Sequence, residues 1–219
     1  MTTEATKPTL HLGCGDIRLD GFVNVDIRET PATDMTLDLN EFELAPGSIE
    51  GFFSNAFYEH IYRLKREAHL RSVLRALDPT WGFACYIGMP YFKNIARCYL
   101  EGRPGVLGPK FDAYEVYRYT HGDPESQPTW WLEQLHKSLL DEDELAKVLD
   151  AAGFPSYTIF AYGHPSETVE LPITLGFYAS KAPHDEQLLQ DAATKFLARF
   201  DGEFLDQHRF EFLPGRGAA

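Results

Sequence analysis

The chain has 219 residues, a length that suits one domain with a sizeable core. Acidic residues outnumber basic ones by 33 to 20, for a formal net charge of -13, so neither nucleic acid nor an anionic membrane, which draw on Lys and Arg, is expected as a partner. The three cysteines, Cys14, Cys85 and Cys98, sit in or beside apolar segments, and neither a secretory h-region nor a bilayer-length apolar run is visible, which together predict a soluble cytoplasmic protein with reduced thiols.

Residues 9–13 form a short apolar run that stops at glycine and predict a first strand. A second strand is predicted over 22–26, where Val23 and Val25 alternate with Asn24, a third over 35–39 and a fourth over 49–55. From Ile61 the spacing becomes helical, with Ile61, Leu64, Ala68, Val73 or Leu74, and Leu77 on one face, until Asp78-Pro79 ends it. Residues 83–89 predict a buried strand. The stretch 91–135 breaks the rhythm with Gly and Pro punctuation and many aromatics, and is expected to be an inserted substrate lid. In DEDELAKVLDAAGF, Asp141 and Glu144 make a capping box and Gly153 a stop, predicting a helix. Strands over 157–162 and 176–180 follow, then an amphipathic helix over 183–200 and a frayed tail. The domain is thus expected to span 1–182, with 183–219 as C-terminal helix and tail.

Strands alternating with helices predict an α/β fold, a mostly parallel sheet with helices on both faces. Ligands of such sheets lie outside the carboxyl ends of the strands. Gly13, Gly15, Asp26, Asp38, Ser54 and Asn55 all fall there. Glycine lets the main chain turn and approach a ligand closely, and a carboxylate at the next strand's end can hold a ribose diol. A dinucleotide site does not fit. Its third glycine position is Arg18, and the six-residue link DIRLDG is too short for a phosphate-binding helix.

LHLGCG at 10–15 and NVD at 24–26 resemble the first two motifs of class I S-adenosylmethionine-dependent methyltransferases. LDL at 37–39, FFSNAFYEHI at 52–61, LRALDPTWGFACYIGMP, LHKSLLDEDELAKVLDAAGF and LGFYASK resemble later parts of the same family in the same order. The resemblance covers roughly residues 9–182. It implies a Rossmann-like, mostly parallel seven-stranded sheet with an aromatic-rich insertion after strand five, and S-adenosyl-L-methionine as cofactor. It further implies Gly13, Cys14 and Gly15 along the methionine part, Asp26 on the ribose hydroxyls, Asp38 and Leu39 at the adenine, and Asn55 at the amino-acid end. A solvated turn carboxylate is the plainer reading of Asp26, and the adjoining glycines weigh against it; for Asp38 both readings stand. Two departures appear: the first helix is reduced to about one turn, and DPTWG replaces the family's Pro-Gly-Gly.

No Asp/Asn-Pro-Pro-aromatic motif follows strand four, which favours an oxygen acceptor and leaves small-molecule amines open. Tyr91, Tyr117, Tyr119, Trp130 and Trp131, with further aromatics, crowd the insertion beside His121, Asp123 and Glu125. Aromatic faces among acids suit a saccharide, although roughly two in three of these rings are expected to be packing or a homodimer interface. His136 is the first candidate for the base and His121 the second, since imidazole titrates near neutral pH; a locally hydrogen-bonded helix-start histidine is the alternative for His136. His60 is expected to orient the turn after strand four. Mg2+ held by acids and histidine within 112–125 is an option without a fixed ligand spacing. The set is similar to small sugar and glycan O-methyltransferases, including those of methylmannose polysaccharide synthesis. A methyltransferase for a non-sugar small molecule and a non-catalytic cofactor-binding partner subunit are the competing readings.

Overall fold

Short apolar runs ending on glycine or polar residues set up the first four strands. The computed structural model describes residues 6–40, 42–122 and 135–214. It contains β1 (Thr9–Leu12), β2 (Val23–Asp26), β3 (Met35–Thr36), β4 (Gly51–Asn55) and β5 (Phe83–Pro90), then β6 (Ser156–Gly163), β7 (Thr174–Ser180) and β8 (Asp206–Phe212). The helices are α1 (Arg66–Ala76), α2 (Phe92–Leu100), α3 (Ala113–His121), α4 (Glu142–Ala152) and α5 (Glu186–Leu197).

One sheet runs in the order β3-β2-β1-β4-β5-β7-β6-β8. The first five strands are parallel, β7 is antiparallel to both neighbours, and β8 is antiparallel to β6. The strand order reverses between β1 and β4, a topological switch point, so their carboxyl ends form a crevice.

Alternation within a strand decides which face each side chain serves. In β4, Phe52 joins the core under α1 and α4 with Leu70, Val73, Leu145 and Leu149. Its neighbour Phe53 joins the opposite core, where Leu189, Ala193 and Leu197 of α5 and Phe200 cover the sheet. The apolar face of α5 is therefore buried within the chain. A third cluster links Ile95, Cys98 and Phe111 to Val169 and Ile173. All three cysteines are buried and free, and no described helix is long and apolar enough to cross a membrane.

Several local expectations change. The sheet has eight strands instead of seven, because residues 206–212, expected as frayed tail, pair with β6. The third strand is only two residues long, since Asp38 Oδ1 accepts from the Asn40 amide (2.9 Å) and turns the chain away. Residues 58–60 form a 3-10 turn, and α1 begins at Arg66 instead of Ile61. Among its described residues the insertion holds two helices. α2 starts at the end of β5, and α3 is capped by the Asp112 side chain and closed by left-handed Gly122 (φ 86°). α4 forms as its signals predict: Asp141 Oδ1 accepts from the Glu144 amide (2.8 Å), and Gly153 terminates it at φ 92°.

Candidate functional site

The glycine loop leaves β1 with Gly13 and Gly15 at φ 67° and 56°, in the left-handed region glycine tolerates best. The two differ in what lies above them. A Cβ on Gly13 would meet the Phe57 ring at 2.5 Å, whereas at Gly15 the nearest atom is Arg28 Nη2 at 3.7 Å. Gly13 is bare because Phe57 covers it, and Gly15 is the glycine whose surface stays open. Between them Cys14 is buried, its amide donates to the Val25 carbonyl (3.0 Å), and burial pushes its thiol pKa up.

Asp26 ends β2 beside this loop. It is 7% exposed, and its carboxylate accepts from the amides of Gly15 (2.8 Å) and Arg28 (2.9 Å). A carboxylate offers about four lone-pair sites, so two remain beyond these amides, with the Arg28 guanidinium beside them (Nε 3.6 Å from Oδ1). Thr30 Oγ1 donates to the Gly15 carbonyl (2.8 Å) and steadies the loop from the far side. Open backbone at Gly15 next to an oriented carboxylate fits the diol end of a nucleoside cofactor.

Asp38 is exposed, and the Leu39 side chain is in the core. The Leu39 carbonyl accepts from His69 Nδ1 (2.7 Å), so His69 Nε2 accepts from the Tyr86 hydroxyl (2.8 Å). Burial pulls the His69 pKa down to about 4. Asn55 ends β4 half-buried, followed by Ala56 in left-handed geometry (φ 52°), with its amide donating to the Ile87 carbonyl (3.0 Å).

Beyond Ala56 the chain places Glu59 and His60 against His136. The Lys137 amide and Ser138 Oγ both donate to the Glu59 carbonyl (2.9 and 3.1 Å), docking the start of the α4 unit onto the turn after β4. His60 Nδ1 donates to the Leu135 carbonyl (3.2 Å) and His136 Nδ1 to that of Tyr119 (2.8 Å). The two rings meet edge to face with centroids 5.1 Å apart. Burial, helped by the adjacent His136, lowers the His60 pKa to about 4 and burial lowers that of His136, while burial lifts Glu59 to about 8. Sequence reasoning singled out His136 and missed Glu59. The signal was FYEH itself, a carboxylate next to histidine directly after a buried strand.

The lid aromatics divide. Phe111 is buried, and Tyr119 stacks on it (5.9 Å) and donates to Glu167 Oε1 (2.9 Å), so these two build the lid's own core, whereas Tyr91 is buried in the main core of the sheet. Tyr114, Tyr117 and His121 form a ladder along α3, with centroids 6.3 and 5.0 Å apart, and Tyr114 and His121 are exposed. The His136 amide donates to the His121 carbonyl (3.3 Å), which brings the ladder's end to the histidine pair. Trp130, Trp131, Asp123 and Glu125 lie outside the described residues. Asp112 caps α3, and Glu115 accepts from the amides of Val106 and Leu107 (3.1 and 2.8 Å), so the two described carboxylates of 112–125, the stretch expected to hold Mg2+, are engaged in the fold.

No protein-family model and no curated protein matches the sequence. Solved structures do. An S-adenosylmethionine-dependent methyltransferase from Mesorhizobium loti is 18% identical, with 78% of this chain and 90% of that one covered and a TM-score of 0.52. A SAM-dependent methyltransferase from Archaeoglobus fulgidus is 13% identical over 80% of this chain and 86% of its own, with a TM-score of 0.52. A SAM-dependent methyltransferase from Thermotoga maritima, described as a possible histamine N-methyltransferase, is 14% identical over 82% and 84%, with a TM-score of 0.50. This chain has the Rossmann-like fold of the class I S-adenosylmethionine-dependent methyltransferases, extended by one antiparallel strand.

Proposed function

We propose that the protein is an S-adenosylmethionine-dependent O-methyltransferase acting on a hydroxyl of a small saccharide or glycosylated metabolite. The observation that supports it best is the pairing of Asp26 with the open Gly15 backbone at the sheet's switch point. When bound, the cofactor supplies a methyl carbon activated on a sulfonium. Asp26 holds vicinal hydroxyls with its two remaining lone pairs. Gly13, Cys14 and Gly15 provide main chain along the methionine part, Asp38 and Leu39 flank the base, and Asn55 meets the amino-acid end.

On the acceptor side, the exposed rings of α3 offer stacking faces for sugar C–H surfaces, with Tyr117 central and Trp130 and Trp131 assigned to the same segment. Tyr91 and Tyr119 are assigned to the acceptor side as well, Tyr91 held from the sheet core and Tyr119 from the lid core. His136 takes the acceptor proton on Nε2, the nitrogen left without hydrogen once Nδ1 donates to Tyr119. His121 is the second candidate.

Titration calorimetry with S-adenosylmethionine and its demethylated product, on the native protein and Asp26→Asn, tests the cofactor half. Micromolar binding lost in the variant supports it, and no binding by the native protein ends it. A methyl-transfer assay over saccharides, phenols and amines then tests the acceptor. Turnover confined to amines would favour a small-molecule N-methyltransferase, the activity named for the Thermotoga maritima neighbour. Cofactor binding without turnover on any class would favour a non-catalytic subunit.

A further inference from the structure

The turn after β4 and the segment before α4 come from opposite ends of the lid, yet they converge on one point. His60 Nε2 and His136 Nε2 each lie 3.9 Å from the same oxygen, Oε1 of Glu59. The three ligand atoms all lie within 4.8 Å of one another.

Both Nδ1 atoms face backbone carbonyls, which only accept, so each ring carries its hydrogen on Nδ1. That tautomer turns both Nε2 lone pairs toward the carboxyl group. Glu59 is 1% exposed, and its second oxygen, Oε2, is buried without a hydrogen-bond partner. The guanidinium of Arg66, ion-paired with Glu144 (3.8 Å), makes no hydrogen bond to it and only favours its ionised form from a distance. Once the Glu59 carboxyl gives up its proton, three electron-pair donors face one another, an arrangement that a cation satisfies. Histidines whose other nitrogen donates to a backbone carbonyl are held as metal ligands usually are.

We infer that Glu59, His60 and His136 form a binding site for a divalent transition-metal ion of the zinc class, with a further coordination position open to an outside ligand. Two imidazoles and one carboxylate favour zinc, cobalt or nickel over magnesium, which prefers oxygen ligands. Bonds of about 2.0–2.1 Å in a tetrahedron place ligand atoms about 3.3 Å apart, so loading draws each histidine toward Glu59 by about half an ångström and the two histidine nitrogens together by at most about 1.5 Å. The histidine side chains are 15% and 14% exposed, so the cluster is not sealed off from solvent.

The binding of the ion stands apart from the methyl-transfer reading. Its consequence for the acceptor rests on that reading: a hydroxyl seated at the open position is acidified by the ion and releases its proton to solvent, and His136 acts as ligand in place of base.

The test is metal content and spectroscopy on the whole protein. Chelator-treated protein is titrated with Zn2+ and with Co2+ by calorimetry, beside His60→Ala, His136→Ala, Glu59→Gln and Asp26→Ala. The expected result is about one equivalent bound to native protein and to Asp26→Ala. Loss by roughly 100-fold or more is expected in each ligand variant, together with visible cobalt bands in the native protein. Substoichiometric binding, retention in the double His60→Ala/His136→Ala variant, or equal affinity for Mg2+ would overturn the site. Circular dichroism shows whether the variants fold, and the cobalt spectrum of native protein decides the matter if they do not. Metal uptake without cofactor binding would overturn the methyltransferase reading alone, and cofactor binding without metal uptake this inference alone.

Discussion

The Gly15 amide donates to Oδ2 of Asp26 over 2.8 Å, tying the loop after β1 to the last residue of β2. Because the Arg28 amide binds the other oxygen at 2.9 Å, one carboxylate organises both loops of the switch point. Asp26→Ala leaves two amides unsatisfied and is expected to lower stability by about 2–4 kcal/mol and to weaken cofactor binding roughly 100-fold, as two charge-assisted bonds to a diol are lost. Chemical denaturation and calorimetry measure the two effects separately. A variant with native affinity would remove Asp26 from the site.

The two loop glycines are expected to respond differently to alanine. At Gly13 the new methyl collides with Phe57 and the backbone is left-handed, for a combined cost of about 2–5 kcal/mol. At Gly15 only the left-handed geometry opposes, at about 1–2 kcal/mol. Adding Phe57→Ala to Gly13→Ala should recover part of the loss by relieving the collision. Thermal melts of the four proteins check it, and equal costs at 13 and 15 would contradict the assignment.

Much of this geometry was legible because it is local. Strands ending on Gly13, Asp26 and Asn55 follow from short apolar runs stopped by polar or small residues, and α4 from its capping box. α3 carried the same kind of signal in Asp112 and Gly122, hidden among aromatics whose spacing does not mark one face. β8 escaped because its half-exposed, charge-bearing sequence DQHRFEF gives little alternation. The glycine pair was legible as a loop but not in its division of labour, since Phe57 is far away in sequence. The Glu59-His60-His136 cluster is joined across the lid, where no spacing rule reaches.

Acid should destabilise the fold through His69. Its folded pKa is depressed to about 4 by burial, against about 6.5 when unfolded, so the unfolded chain binds more protons between these values. The His69 contribution therefore rises with pH across that window, is flat above about 6.5, and is lost as pH falls, by on the order of 3 kcal/mol in all. His60 contributes with the same sign, and Glu59, lifted to about 8, with the opposite one. Urea denaturation of native protein and His69→Gln at pH 4.5 and 7.5 isolates the His69 share as the difference between the two proteins. His69→Gln should be less stable at pH 7.5, with a shallower acid slope.

Ala56 holds left-handed geometry (φ 52°) at the junction between Asn55 and the turn carrying Glu59. Ala56→Gly is expected to raise stability by about 0.5–1 kcal/mol, the difference between relieved strain and added chain freedom. Gly88→Ala should be far more damaging, because its Cβ would overlap the Ala56 main chain. Calorimetric melting temperatures distinguish the two, and a destabilised Ala56→Gly would mean that the alanine methyl itself makes a needed contact.

The eighth strand has a further effect on colloidal behaviour. β6, SYTIFAYG, is buried along all of its eight residues and reads as an aggregation-prone segment. β8 pairs with its outer side and presents Gln207, His208 and Glu211 to solvent in its place, while at the opposite end of the sheet β3 is too short to template another chain. Polar groups at one rim and brevity at the other thus oppose edge-to-edge pairing, and removing residues 206–212 would expose the uncharged ribbon of β6 to other copies of the chain.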